Sequence, residues 1–275
     1  MGTTGLYEGD LKLAHSIAKA YLPVVSAYHR AEFIGMENIP ENAFLAVGNH
    51  SGMHFMPESM LWLSKYHSEH RQVGMYTLIH RFTHHFAEML HIPLAKLGLL
   101  EANKENAASA LRQGFAITVY PAGDRDNAKP FWDRNKIDFF HHKGYIKLAL
   151  DANVPIVPIV GVGGGETVFT VASGEKLAEW TGLSKHLKVH TWPLYWSFPF
   201  GWHLGHIPKL GLPLPSQITI SVLEPIHVEE HARAEADDPY VVDDLNDLVV
   251  RKMQEEVDRL VKDRIPIIGD MKKDR

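Results

Sequence analysis

The sequence predicts a single α/β domain, in which a mostly parallel central sheet is flanked by helices and preceded by an N-terminal amphipathic helical segment. Apolar runs rich in β-branched and aromatic residues, typical of strands covered on both faces, alternate with segments of helical periodicity. This order occurs as a helix at 103–113 before a strand at 115–120, and again as a helix at 145–152 before a strand at 154–160. Such alternation favours parallel strands joined by crossover helices.

The chain is predicted to have two parts, an N-terminal segment at residues 1–34 and a main domain at residues 35–275. The segment is predicted to contain an amphipathic helix or a pair of helices over Leu11–Tyr28, where apolar residues recur at helical spacing with an interruption near Pro23. The remainder contains no internal repeat, low-complexity stretch or clear linker. A chain of 275 residues could form one large α/β domain or two small ones, and the lack of a linker favours one domain.

Local signals define the elements of the main domain. Asn103 is a suitable N-cap for its helix, and Gly114 suits the left-handed conformation that ends one. Two prolines in the strand at 154–160 predict that it lies at a sheet edge or contains a bulge. The other strands are predicted at 33–40, 43–47, 73–79 and 218–222, and the other helices at 58–66, 82–90 and 241–261.

Composition excludes several classes of function. A net charge of −5 argues against general binding to phosphate backbones, so we expect no nucleic-acid partner. The chain has no cysteine, which excludes disulfides, thiolate metal sites and a cysteine nucleophile. The start of the sequence lacks the basic and apolar regions of a signal peptide. No window reaches the roughly 18–20 apolar residues of a membrane-spanning helix.

A histidine follows the strand at 43–47, in the sequence Gly48-Asn49-His50, and the acidic Glu58 follows after a small-residue turn. A hydrogen bond from Glu58 to one ring nitrogen would fix the tautomer and raise the basicity of the other nitrogen. The pair could then take a proton from a hydroxyl. The alternative is a histidine at a strand end that does no chemistry.

A second loop follows the strand at 115–120 and has the sequence Gly123-Asp124-Arg125-Asp126. Backbone N–H groups of such a turn, together with Arg125, could hold a phosphate or a developing oxyanion. The alternative is that Arg125 is tied to Asp124 or Asp126. Because the carboxyl ends of parallel strands meet at one sheet edge, we expect this loop to lie near His50.

Four segments of the chain, in order, resemble the four blocks of the glycerolipid (lysophospholipid) acyltransferase superfamily, and in particular its branch similar to monoacylglycerol and diacylglycerol acyltransferases. The resemblance extends from about Gly35 to Val228, so residues 35–275 are interpreted as an acyltransferase domain. The four segments are Asn49–Gly52 with Pro57–Glu58, Leu97–Ala107, Tyr120–Arg125 and Val154–Ile159.

The resemblance implies transfer of a fatty acyl chain from a thioester, either acyl-CoA or acyl carrier protein, to a lipid hydroxyl. His50 would be the general base and Glu58 its paired acid. Gly123 and Arg125, in the turn that also carries Asp124, would bind the acceptor's polar head. A thioester is already activated, so we expect direct transfer without cofactor, metal or covalent enzyme intermediate.

Further assignments belong to the same resemblance, with three departures from the family pattern. Lys104 would be the basic residue of the second block, where an arginine is usual. Phe55 stands where the family's aspartate is expected, and Ala122 replaces a glutamate in the third block. In the glycine-rich loop at 161–166, Glu166 could contact the acceptor.

The aromatic stretch Trp192–Trp202 is either irregular core or a contact with lipid headgroups, where Trp and Tyr are favoured. Together with the N-terminal amphipathic segment, it predicts a peripheral, monotopic enzyme on the cytoplasmic side of a membrane. Two other functions stay open. His50 could activate water in a thioesterase or lipid hydrolase, or the chain could be a lipid-binding protein with a degenerate site.

Overall fold

A computed structural model describes residues 11–69, 71–187, 189–206, 211–228 and 238–270. Its centre is a seven-stranded sheet in the order β1-β10-β6-β2-β5-β3-β4. All of the neighbouring strand pairs in that order are parallel except β10 with β6. The strands are β1 Glu32–Ile34, β2 Leu45–Gly48, β3 Met75–Ile79, β4 Leu99–Glu101, β5 Ala116–Val119, β6 Ile156–Val162 and β10 Thr219–Val222.

Helices cover both faces of this sheet. On one face, α4, α6 and α9 pack their apolar residues against the strands, and on the other face α1 and α2 do the same. The predicted fold class, a mostly parallel sheet flanked by helices in one α/β domain, is therefore confirmed. The helices are α1 Lys12–His29, α2 Pro57–Ser68, α3 Arg81–Met89, α4 Lys104–Arg112, α5 Gly123–Asn127, α6 Gly144–Ala152, α7 Glu175–Trp180, α8 Leu183–His186 and α9 Pro239–Val261.

Strand β6 lies between β2 and β10 and is buried along its length, so the prediction that its prolines place it at a sheet edge is wrong. The ladder to β10 nevertheless breaks at Pro158. Regular pairing ends at Ile159 with Val222 and resumes as an isolated bridge from Ile156 to Ile226, with the register shifted by one residue. Proline has no N–H to donate, and the interruption accommodates it inside a central strand.

The first helix is continuous through Pro23, from Lys12 to His29. It packs on α2 with its small residues, so that Ala14 and Ala18 are buried. The larger apolar residues that predicted the helix, among them Ile17 and Val24, are exposed instead. Its amphipathic pattern therefore indicated a helix correctly but did not identify the side that faces the core.

The aromatic stretch predicted as irregular core or membrane contact forms strands. An antiparallel sheet in the order β7-β8-β9 consists of β7 Phe169–Ala172, β8 Leu194–Ser197 and β9 Gly201–Leu204. A two-stranded hairpin, β11 Arg264–Ile265 with β12 Gly269–Asp270, follows α9. Among the described helices, none combines the length and apolar character needed to cross a bilayer.

Candidate active site

The two predicted loops meet at the carboxyl ends of adjacent parallel strands. Strands β2 and β5 pair in register, with Val47 opposite Val119, and each leads directly into one loop. The backbone N–H of His50 donates to Oδ2 of Asp126 at 2.5 Å. This hydrogen bond joins the histidine loop to α5, the short helix that carries the glycine turn and Arg125.

The His50 ring is held by two neighbours. Its Nδ1 atom lies 2.8 Å from the Oγ atom of Ser59, and its ring lies 4.7 Å from the ring of Tyr120 between centroids. When Nδ1 carries the ring proton and donates it to Ser59, Nε2 has a free lone pair. A neutral imidazole fixed in this way can accept a proton at Nε2.

The surroundings of His50 favour its neutral form. Burial, together with a smaller effect of the nearby Lys129 ammonium, lowers the pKa of its ring to about 4. Both effects disfavour a second positive charge in the cluster. The imidazole is therefore unprotonated at neutral pH, which is the state that a general base requires.

Glu58 does not make the predicted hydrogen bond to His50. In the described cluster, Oε1 of its buried carboxylate accepts a hydrogen bond from the Ser51 hydroxyl, and Oε2 has no hydrogen-bond partner. Successive residues of a helix point about 100° apart. Because Glu58 and Ser59 are adjacent in the first turn of α2, Ser59 reaches the ring while Glu58 turns toward the glycine loop after β6.

The glycine loop after β6 leaves room for the Glu58 side chain. A Cβ atom added to Gly164 would lie 2.0 Å from both carboxylate oxygens, and one added to Gly161 would lie 2.8 Å from Cγ. In this enclosed position, burial raises the pKa of Glu58 to about 7, and the Ser51 hydrogen bond partly opposes the rise. Glu58 is thus a carboxyl group that titrates near neutrality beside the histidine loop.

Asp126 holds the main chain of the histidine loop by accepting the hydrogen bond from the His50 N–H. Its carboxylate is almost fully buried, and Oδ1 lies 2.6 Å from Nζ of Lys129. Burial raises the pKa of Asp126, while the Lys129 ammonium and the His50 N–H favour the ionised carboxylate. The contact with Lys129 and the hydrogen bond from the His50 N–H place Asp126 where it fixes the main chain at His50.

Arg125 is tied to neither neighbouring acid, so that alternative is wrong. Asp124 accepts hydrogen bonds from the backbone N–H groups of His190 and Thr191 at 2.6 and 3.1 Å, and Asp126 is engaged with His50. The Arg125 guanidinium lies over the Phe140 ring at 5.4 Å, and its buried Nε has no hydrogen-bond partner within the described residues.

Gly123 and Asp124, which lie in the same turn as Arg125, have different surroundings. A Cβ atom added to Gly123 would meet no atom within 4 Å, so space is open beside the turn. The predicted substrate contact of Asp124 is not supported, because backbone N–H groups already occupy one of its carboxylate oxygens. Asp124 instead anchors the segment that leads into β8.

Glu166 makes hydrogen bonds within the protein instead of the predicted contact with the acceptor. Its buried carboxylate accepts two hydrogen bonds from Arg264 at 2.9 Å, one from the Ser216 hydroxyl at 2.6 Å and one from the Ile267 N–H at 2.7 Å. These donors hold the C-terminal hairpin against the loop after β6 and leave Glu166 no free oxygen for a lipid.

Lys104 lies at the start of α4, exposed, with its ammonium 3.2 Å from Asp151. The described contacts do not connect it with the His50 cluster. Sequence reasoning missed the roles of Ser59 and Tyr120. In the sequence, Tyr120 is recognisable as the residue that follows strand β5, and Ser59 as the neighbour of Glu58 on a predicted helix. Only the phase of that helix identifies whether Glu58 or Ser59 faces His50.

Comparison with known proteins agrees with this architecture. The family profile described as Acyltransferase matches residues 30–162. Uncharacterised proteins of Mycobacterium bovis and Mycobacterium tuberculosis are 30% identical over 240 residues, which cover 86% of this chain and 63% of theirs. The chain thus spans less than two thirds of the length of these relatives.

Two similar proteins have names that mention lipids. A protein of Gallus gallus described as a DGAT1/2-independent enzyme synthesizing storage lipids is 27% identical over 208 residues, covering 72% of this chain and 56% of that protein. The crystal structure of the 1-acyl-sn-glycerophosphate acyltransferase PlsC of Thermotoga maritima superposes with a TM-score of 0.50 at 16% identity, covering 89% of this chain and 79% of that one. Together with the ordered blocks, the family profile and the shared fold support the resemblance to the glycerolipid acyltransferase superfamily.

Proposed function

We propose that this protein is an O-acyltransferase that moves a fatty acyl chain from an acyl thioester to a hydroxyl of a glycerolipid or lysophospholipid, with His50 as general base. One observation carries the proposal. A neutral imidazole, fixed through Nδ1 by Ser59, stands at the carboxyl end of the central strand β2 with Nε2 left for a substrate. A positioned base of this kind contributes about 10²–10⁴-fold to a rate.

The proposed reaction uses few groups. Nε2 of His50 takes the proton of the acceptor hydroxyl as its oxygen attacks the thioester carbonyl carbon. The carbonyl reforms as the carbon–sulfur bond breaks, and the leaving thiolate takes the proton back from the imidazolium. The Ser59 hydroxyl keeps the ring in position, and Asp126 fixes its main chain. Because a thioester is already activated, no covalent enzyme intermediate is needed.

Arg125 supports the proposal for the acceptor. Its guanidinium is half-buried, has no acidic partner in the described structure and lies beside the open space at Gly123. Such a cation favours an acceptor with a phosphate or another electron-rich head group. The names of the relatives include both a lysophosphatidate acyltransferase and a storage-lipid enzyme. The proposed acceptors are therefore lysophosphatidate, monoacylglycerol and diacylglycerol.

Incubation of the purified protein with radiolabelled acyl-CoA and each of these three lipids tests the proposal. We expect a labelled product that requires an acceptor and disappears in His50→Ala. Release of free fatty acid at the same rate without any acceptor would instead identify a thioesterase. Turnover of neither kind, from acyl-CoA or from acyl carrier protein, would support a lipid-binding protein with a degenerate site. A stable acyl-enzyme formed with the thioester alone would contradict direct transfer.

A further inference from the structure

The outer side of α1 carries an unpaired apolar stripe. Large apolar side chains recur there every three or four residues and are exposed, with Val24 reaching 69%. The opposite side of the helix, with Ala14 and Ala18, packs on α2 and supplies the contact with the core. The stripe is therefore additional to what folding requires. It consists of Leu13, Ile17, Tyr21, Val24 and Tyr28.

The hairpin of β8 and β9 also has an apolar outer face. Along a strand, side chains alternate between faces. Tyr195 and His203 point inward and stack as a buried cross-strand pair, with ring centroids 5.2 Å apart. Their neighbours point outward, and Phe200 and Trp202 are 64% and 61% exposed. The exposed apolar residues of the hairpin are Leu194, Phe198, Phe200, Trp202 and Leu204.

These two surfaces adjoin, although they lie far apart in the sequence. The hydroxyl of Tyr28, the last residue of the stripe, donates to the carbonyl of Pro213 at 2.6 Å. The preceding residue, Leu212, is exposed and donates its N–H to the carbonyl of Phe198 at 2.6 Å. These two hydrogen bonds place the stripe of α1, Leu212 and the exposed residues of the hairpin next to one another, and together they are here called the docking surface.

The charge of the segments that build this surface is one-sided. None of the chain's 33 acidic residues falls within 11–31 or within 180–223. The same two segments contain six lysines and arginines, in a chain whose net charge is −5. Lys12, Lys19 and Lys185 are among them and are exposed in the structure. The two segments that supply this apolar area therefore carry basic residues and no acid, a charge that is complementary to an anionic bilayer.

The docking surface is connected to the proposed active site through Asp124. Its carboxylate accepts the backbone N–H groups of His190 and Thr191, which lead directly into β8. The same short helix α5 carries Arg125. A lipid held at the docking surface would therefore lie next to the turn that we assign to the acceptor head group.

We propose that the docking surface binds the interface of an anionic phospholipid bilayer, with the aromatic hairpin and the α1 stripe both inserted at headgroup depth. This inference rests on the proposed function and extends it, because it names the surface through which the enzyme reaches a lipid acceptor. Trp and Phe at a hairpin tip suit this depth, because their rings prefer the membrane–water interface.

Vesicle flotation of the full chain, without any substrate, tests the proposal. We expect the protein to float with vesicles of phosphatidylcholine and phosphatidylglycerol, and to bind less well to phosphatidylcholine alone or at high salt. The double variant Phe200→Ser/Trp202→Ser should lower the partition coefficient at least about tenfold, because two large apolar side chains leave the lipid. Lys12→Gln, Lys19→Gln and Lys185→Gln should each lower binding to the anionic vesicles about fivefold.

Controls separate this proposal from others. Tyr240→Ser removes an aromatic residue that is exposed at the start of α9, outside the docking surface, and should float like the wild type. His50→Ala should also float normally, so that loss of catalysis and loss of docking are distinguished. Wild-type protein that stays at the bottom with both kinds of vesicle would overturn the proposal. So would a dimer that the double variant converts to a monomer, since the surface would then bind a second copy.

Discussion

The Nδ1 atom of His50 lies 2.8 Å from the hydroxyl oxygen of Ser59, a residue nine positions further along the chain. The hydroxyl comes from the first turn of α2, a helix that packs on the sheet and on α1. Gly52, with φ at +82°, allows the chain to turn between the two residues, and an added Cβ there would collide with Pro57. The base is therefore oriented by a serine on a rigid helix.

Ser59→Ala should lower turnover at least about tenfold while leaving the KM for the thioester nearly unchanged. The alanine removes the group that positions the ring, but it leaves His50 in place, so the loss should be smaller than the about 10²–10⁴-fold expected for His50→Ala. Steady-state kinetics of both variants measure this. Ser68→Ala is the matched control, because among the described residues its hydroxyl donates to the carbonyl of Lys65 at the end of the same helix. Wild-type turnover in Ser59→Ala would contradict the positioning role.

The pH dependence of kcat/KM should show an acid limb near pH 4 rather than near pH 6.5. Burial lowers the pKa of His50 to about 4, so the base becomes protonated only below that pH. The stability of the fold should also fall as the pH is lowered through this range. A histidine with a lowered pKa in the folded state contributes fully above its unfolded pKa of about 6.5 and loses that contribution as the pH falls toward 4. A limb near 6.5 in the free enzyme would show that His50 is more solvated than this structure has it.

Glu58→Gln should remove an inflection near pH 7 from the rate profile. The pKa of Glu58 is raised to about 7 by burial, so its ionisation falls within the working range. Glutamine resembles the protonated form and still accepts the Ser51 hydrogen bond, so activity below pH 7 should be nearly preserved. A uniform loss at every pH would instead indicate that Glu58 contacts His50 directly in the substrate complex.

The sequence predicts which loops come together, but it does not predict which side chains contact each other within those loops. Parallel strands carry their loops to one edge of the sheet, so the sequence predicts that the motifs at His50 and Arg125 lie together, as they do. Which of Glu58 and Ser59 reaches the ring depends on the phase of α2, and a shift of one residue changes the answer. Glu166 was misassigned because its partner, Arg264, lies 98 residues away in a hairpin without a sequence signal.

The buried face of α1 was likewise not predictable from apolar spacing alone. Both sides of the helix carry apolar residues, and the side with the small Ala14 and Ala18 approaches α2. Small residues let two helices pack closely, whereas the larger Ile17 and Val24 are left on the outside. The apolar residues that indicated this helix are therefore divided between its two sides, because Val25 packs against the core whereas its neighbour Val24 is exposed.

Arg125→Ala should raise the KM for a phosphate-bearing acceptor about tenfold, with little change in the KM for the thioester. The guanidinium has no acidic partner in the described structure, so its loss removes a substrate contact and leaves no buried acid unpaired. Arg125→Lys should recover only part of the affinity, because an ammonium lacks the planar fork. Arg251→Ala, on the outer side of α9, is the control. Equal effects on lysophosphatidate and on monoacylglycerol would indicate that Arg125 does not bind the phosphate.

Glu166→Gln should destabilise the fold by about 3–5 kcal/mol, a cost typical of removing one partner of a buried ion pair. The side chains of Glu166 and Arg264 are 1% and 4% exposed, so the substitution leaves a guanidinium without a counter-charge in the interior. Chemical denaturation measures the change. Asp243→Asn, which breaks the more exposed pair with Lys143, should cost less than about 1 kcal/mol. Because Gly164 in the same loop encloses Glu58, the inflection near pH 7 should also shift in Glu166→Gln, whereas a purely local loss of stability would leave it in place.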